Sequence, residues 1–285
     1  MSKVNNQLEQ LAAVTQSTLP SLIEAGSSLS TESKTMAFVS KLATTFKAYV
    51  ENITTYFNGL KLGNYPKQKV DTVELMDVLK GKEYAKTRQV FVAVPSGFSG
   101  KWLDLLKLLI DNILPSVEAL EVTLKSVNKN LAVALNDPDR LKAQSGIRNL
   151  ENGLALVSQD DFDKIKTFFQ NGSRTQLALS QVVDRNADIE EAFILLNKLN
   201  ADVGAINFVA IQELINRLVV LVQELKKEVS QEDSDQLSGL VTSQLSDLFY
   251  KLGVTVTAAS VLSDLTEQMT SSMTNARDDL VIALK

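Results

Sequence analysis

The sequence contains no cysteine and no histidine among its 285 residues. Disulfides, thiolate nucleophiles, imidazole bases and histidine-ligated metals are therefore excluded, and these are common parts of catalytic and metal sites. A basic excess is missing too, because 29 Lys and Arg stand against 34 Asp and Glu, a net charge of −5. Since nucleic-acid binders normally present a basic surface, we expect no direct nucleic-acid binding.

The chain also lacks a long hydrophobic run. No stretch of about 18 uncharged apolar residues predicts a membrane-spanning helix. The first residues, Met1 to Gln7, lack the apolar core of a secretory signal, so we expect synthesis in a cytoplasm without a signal peptide. Hydrophobic residues still make up 45% of the composition, which is too much for a disordered chain.

Helical periodicity is the strongest positive signal. Between residues 103 and 131, apolar positions recur at steps of three and four, which predicts a long helix with a coiled-coil-like seam. Pro115 predicts a bend in this helix, and Asn136-Asp137-Pro138 predicts its end. The seam consists of Leu103, Leu106, Ile110, Ile113, Val117, Leu120, Leu124, Val127 and Leu131. A second seam of the same spacing runs from Met36 to Leu60.

More helices are predicted downstream. A short one begins at a cap formed by Ser158 and Asp161. The others are predicted at about 174–202, 206–229, 234–252 and from about 255 to the end. Segments 102–114 and 208–225 have few polar positions and are expected to be central helices. The terminal helix, rich in Ser and Thr, has a thin apolar stripe and is expected to be peripheral.

One stretch, residues 88–94, is β-branched and predicts a short strand. Its partner is either residues 81–87 or a neighbouring subunit, and the sequence does not choose between them. The predicted fold is all-α, an elongated antiparallel bundle of long helices with one short β element near 88–94. The expected division is an N-terminal helical hairpin at 1–63, a small mixed connector at 64–100 and a main helical bundle at 101–285.

The loop from Val94 to Trp102 follows this strand, precedes a helix and ends in Gly-Lys, which is the setting of a phosphate-binding loop. The pattern G-x-x-x-x-G-K-[ST] fails twice, because Pro95 replaces the first glycine and Trp102 replaces the metal-binding hydroxyl. We interpret the loop as a strand-to-helix turn. The paired acids are interpreted as helix caps or solvated faces, so no catalytic residue, cofactor or metal site is predicted.

The composition and the long helices favour a non-catalytic structural or assembly protein, a helical oligomer subunit of a virion component (tailed-phage-like) or scaffold. Protein subunits are its expected partners, through the terminal helix. The candidate interface residues are Ala258, Val261, Leu265, Met269, Ala276, Leu280, Ile282 and Leu284. The alternative is a membrane-active helical bundle resembling pore-forming toxins in its long helices. A nucleotide-binding enzyme using loop 95–102 is the third hypothesis.

Overall fold

The chain is predominantly helical, with one small sheet. The computed structural model describes residues 68–80, 91–94, 98–136, 154–168, 176–231 and 237–284, with positions 51, 54, 55, 57–59, 62 and 65. Of the described residues, 81% are helical, which confirms the all-α class. The predicted hairpin at 1–63 lies almost wholly outside the described residues, and the division into three parts stays a prediction.

The long helix predicted from the first seam is confirmed, with one irregularity. The first described helix of more than one turn is α1 (Val73–Leu79). The long helix follows it as four consecutive segments: α2 (Trp102–Leu108), a π-helical turn (Leu109–Ile113), α3 (Leu114–Glu118) and α4 (Leu120–Asn136). The amide of Leu114 bonds to the carbonyl of Leu109, one residue further back than in an α-helix. Pro115 follows directly and has no N–H to continue the α ladder, so the irregularity falls where a bend was predicted.

The seam of this helix is buried as the spacing predicts. Eight of its nine members have at most 6% of their surface exposed, and Leu103 is partly buried against the core. Trp102 and Leu105 are buried beside them, which confirms that segment 102–114 is central. The second seam lies mostly outside the described residues, although Phe57 is helical and buried.

The region predicted as a single helix at 174–202 is different. After α5 (Gln159–Phe168), the chain forms a strand β2 (Gln176–Ala178), a helical turn α6 (Leu179–Val182) and then α7 (Asn186–Val203). Strand β1 (Phe91–Ala93) pairs antiparallel with β2, with Val92 opposite Leu177. The partner strand therefore comes from within the chain and was predicted as helix, because Gln176-Leu-Ala has no strand signal of its own and extends only through this long-range pairing.

The C-terminal region also corrects the prediction. Instead of separate helices at 234–252 and 255–285, one helix, α9 (Leu237–Leu284), runs for 48 residues and passes Gly253 without a break. It follows α8 (Phe208–Gln231), which confirms the helix predicted at 206–229.

Helix α9 is central rather than peripheral. It packs on α1, α7, α3, α5 and β1, and its residues 252–262 are all buried. The expectation of a peripheral helix is wrong because its hydroxyl groups satisfy their hydrogen bonds within the helix. Thr257, Thr266 and Thr270 each donate to the backbone carbonyl four residues earlier, at 2.7 Å. A threonine bonded in this way buries a methyl group without leaving a polar atom unpaired.

Helix α8 is buried on one side only, so the prediction that it is central holds for half of its surface. Phe208, Ile215 and Leu218 are buried, whereas Val209 and Val220 are exposed. Its main partner is α4. The α4–α8 pair therefore leaves a face of each helix open to solvent.

Candidate functional site

The loop that invites comparison with a phosphate-binding loop is fixed by protein contacts. Gly100 has φ +98°, a left-handed conformation that confirms its expected role in the strand-to-helix turn. Lys101 Nζ donates to the carbonyl of Ser180 at 3.0 Å and pairs with Asp184 Oδ1 at 2.8 Å. The Ser99 amide donates to the Phe168 carbonyl at 2.6 Å. Lys101 thus ties the start of α2 to the β2–α6 segment; Pro95 lies outside the described residues.

The acidic pairs serve local structure where they are described. Ser158 Oγ accepts from the Asp161 amide at 3.1 Å and donates to its carboxylate at 2.7 Å, which confirms the predicted cap. Hydrogen bonds from Lys164 and Ser158 lower the pKa of Asp161. Glu191 pairs with Lys107 at 2.6 Å and links α7 to α2. Glu232 and Asp233 lie outside the described residues.

The candidate interface residues of the terminal helix are mostly in the core. Six of them are completely buried within the chain: Ala258, Val261, Leu265, Met269, Ala276 and Leu280. Ile282 is 76% exposed, and the side chain of Leu284 lies outside the described ones. The six buried residues pack against the chain's own helices, so another subunit would have to contact α9 through a different face.

That different face is continuous. Exposed positions recur at steps of three and four along the C-terminal half of α9, on the side opposite the buried one. We call this surface the α9 stripe. Its members are Glu267, Ser271, Asn275, Asp278, Asp279 and Ile282. The stripe therefore combines three carboxylates, two neutral polar side chains and one exposed apolar side chain.

A groove of about 710 Å³ lies between α4 and α8, on their open side. We call it the basic groove. It is lined by Lys125, Asn128, Lys129, Ala132, Val133, Asn136, Leu214 and Arg217. Three of these eight side chains are cationic and none is acidic, although the chain as a whole is acidic.

The groove has groups that are not engaged within the described part of the chain. Lys125 pairs with Glu121 at 2.5 Å, one turn away, but Lys129 and Arg217 form no ion pair with any described residue. Asn128 is 2% exposed; its Nδ2 donates to the Leu214 carbonyl at 2.9 Å, and its Oδ1 has no hydrogen-bond partner among described residues. The groove is therefore electropositive, and one of its buried hydrogen-bond acceptors, Asn128 Oδ1, is unpaired among the described residues.

Sequence reasoning missed this surface. From the sequence alone, Lys125 and Lys129 indicate only an ordinary solvated helix face beside acids, and Arg217 has no distinguishing context. A signal was present in α4, because Val122, Lys129 and Val133 lie seven and four residues apart, on the side opposite the seam. Val122 is 70% exposed and Val133 57%. Single exposed apolar residues are common on protein surfaces, so these valines acquire meaning only beside the groove, which Val133 lines.

Other types of site have little support in the described residues. No group of three or more Asp or Glu side chains there is arranged to hold a metal ion. No described helix alone has the length and apolarity of a membrane span; α7 and part of α8, Phe208–Glu224, meet that test only as a pair bent by 54°.

Comparison with known proteins gives no family for this chain: no family model, no curated protein and no solved structure matches it.

Proposed function

We propose that the chain is a non-catalytic structural or assembly protein, made in a cytoplasm and built into a larger complex such as a virion or a scaffold. The observation that carries this proposal is the open α4–α8 face, where a basic groove lies beside exposed valines. Exposed apolar side chains rimmed by charge are typical of protein-binding surfaces. The expected partners are therefore protein subunits.

The finer architecture belongs to the same proposal. We infer that the long helices form an elongated antiparallel bundle, a shape suited to a spacer or strut. Helix α9 alone, with 48 residues, would extend roughly 70 Å at about 1.5 Å per residue. Small-angle X-ray scattering should give a maximum dimension above this length, whereas a compact sphere of the same mass would contradict the elongated shape.

The assembly role is tested by size and partner capture together. We expect light scattering to give a mass above 31.2 kDa, or affinity-tagged protein to recover a defined partner from its source, or both. A chain that stays monomeric up to high concentration and recovers no stoichiometric partner would contradict the proposal.

Membrane activity is the second candidate, and the bent pair formed by α7 and Phe208–Glu224 is the observation that favours it. Buried core helices of soluble proteins pass the same test, and Ile189, Leu196 and Ile215 are buried here. Leakage of dye from liposomes at micromolar protein would favour the membrane candidate over the assembly role.

The third candidate, nucleotide binding through loop 95–102, makes a separate prediction. We expect neither the parent nor the Lys101→Ala variant to bind ATP with magnesium, because Lys101 is already engaged with Ser180 and Asp184. Tight ATP binding by the parent that disappears in the variant would support the hypothesis of a nucleotide-binding enzyme.

A further inference from the structure

We propose that the basic groove binds the α9 stripe of a second copy of the chain, so that copies join head to tail. This inference rests on the proposed assembly function and specifies its partner and its surfaces. Neither surface includes any of the six buried residues of α9 that the sequence analysis named as candidate interface residues.

Charge complementarity is the first argument. The groove presents Lys129 and Arg217, which pair with no described carboxylate, beside Lys125, which pairs with Glu121. The stripe presents the carboxylates of Glu267 and Asp279, which pair with no described cation, and that of Asp278, which is already paired with Arg277 at 2.6 Å. The neighbouring Arg277 is half-buried, where it bonds to the Asp71 carbonyl at 2.9 Å and to Asp278. Opposite charges thus lie on two separate surfaces of one chain, an arrangement that speeds association and fixes its orientation.

Apolar contact is the second argument. Ile282, at the C-terminal end of the stripe, is the most exposed large hydrophobic side chain of the described residues. Val122 and Val133 are exposed on α4, and Val133 lines the groove itself. A helix laid in a groove between two others buries such side chains at steps of three and four, which is how helix-in-groove complexes gain affinity.

The position of the two surfaces requires a second copy. Within one copy, α9 packs chiefly on α1, α7, α3, α5 and β1, while α8 packs chiefly on α4. The stripe faces solvent on the side of α9 away from its core contacts. Because each copy would offer one groove and one stripe, the contact is heterologous and generates rings or open filaments.

Charge reversal tests the pairing without disturbing the core, since all four substituted residues are exposed. The groove variant is Lys129→Glu with Arg217→Glu, and the stripe variant is Glu267→Lys with Asp279→Lys, which leaves the Arg277–Asp278 ion pair intact. We expect each variant alone to self-associate about tenfold or more weakly than the parent in sedimentation velocity, since like charges then face each other. Raising the salt concentration should also weaken the self-association of the parent, because salt screens the attraction between the two charged surfaces.

Mixing the two variants is the decisive arm. In the mixture the reversed groove meets the reversed stripe and the two intact surfaces also meet, so association should return towards the parent level. A matched control, Asp160→Lys with Glu190→Lys, reverses two exposed acids outside the stripe and should associate like the parent.

The outcomes separate this inference from the proposed function. If the parent self-associates but both variants associate equally well, the groove–stripe pairing is overturned and the assembly role stands. If the parent is monomeric yet recovers a different protein, the pairing is again overturned while the assembly role survives. Weakened variants that regain no association on mixing would also contradict the pairing, since reversed surfaces must attract each other.

Discussion

Asn200 in α7 and Thr270 in α9 are joined by a hydrogen bond in the middle of the core. Asn200 Nδ2 donates to Thr270 Oγ1 at 2.9 Å, and the Tyr65 hydroxyl donates to Asn200 Oδ1 at 2.5 Å. Burial raises the pKa of Tyr65. Three distant parts of the chain thus meet in one polar cluster, which fixes how α9 is placed along α7. Buried networks of this kind specify a single packing when all members are bonded.

Thr270→Val should destabilise the fold by about 1–3 kcal/mol, because Asn200 loses a partner in a buried site. The matched control is Thr266→Val. Thr266 is equally buried, but its hydroxyl bonds only to the Leu262 carbonyl of its own helix, at 2.7 Å. Urea unfolding of both variants measures the difference. Equal losses would show that the cluster adds nothing beyond the helix's own bonds.

Asp188 gives a pH-dependent prediction. Its carboxylate, buried in the first turn of α7, accepts from the Arg185 amide at 2.8 Å and from the Arg185 guanidinium. The Arg185 hydrogen bond lowers the pKa of Asp188. Its contribution is therefore present above the ordinary aspartate pKa of about 3.9 and is lost as the pH falls through the lowered value.

Asp188→Asn should accordingly reduce the free energy of unfolding at pH 7 by about 0.5–2 kcal/mol, the range for a helix cap. The deficit should begin to shrink as the pH falls below about 4, where Asp188 of the unfolded parent becomes protonated, and should disappear only below the lowered pKa of the folded state. Denaturant titrations at pH 7 and pH 3 measure this. A deficit that stays constant between the two would show that the charge of Asp188 is irrelevant.

Leu106→Ala and Leu124→Ala should each destabilise by about 2–5 kcal/mol, because both side chains are fully buried in the seam and truncation leaves a cavity. Val122→Ala, two residues from Leu124 on the exposed side of α4, should change stability by less than about 0.5 kcal/mol. Thermal unfolding of all three variants checks the orientation of the helix. Similar melting of the buried and exposed variants would contradict it.

Two glycines should respond in opposite directions to alanine. Gly100→Ala should cost about 1–3 kcal/mol, because φ is +98° and a Cβ would lie 3.1 Å from the Phe168 ring. Gly59 is helical with open space around it, so Gly59→Ala should stabilise by about 0.4–1 kcal/mol. Calorimetry of both variants measures the change in their thermal stability. A destabilised Gly59→Ala variant would mean that the surroundings of Gly59 are crowded.

Patterns of local origin were predictable from the sequence. The seam from Leu106 to Leu131 is buried because helical spacing alone sets which side of a helix is apolar. The Ser158 cap formed because its bonds span only three residues. Strand β2 was not predictable, since Leu177 becomes extended only through pairing with Val92, far away in the chain.

The hydroxyl-rich helix was misjudged for a different reason. Counting Thr266 and Thr270 as polar made the apolar stripe of α9 look thin, although both are buried with their hydroxyls bonded to their own helix. The basic groove escaped notice because it combines Lys129 of α4 with Arg217 of α8, and their proximity depends on helix packing. Sequence spacing describes one helix at a time and carries no information on that packing.

The position of α9 in the core has a consequence for how the protein is made. In chain order, this helix follows every element it packs against, from α1 and β1 to α7. During synthesis, the apolar faces of those elements emerge from the ribosome before the helix that covers them exists. Productive folding must therefore wait until α9 has been translated, and nascent chains halted near residue 236 should bind chaperones that recognise exposed apolar surface.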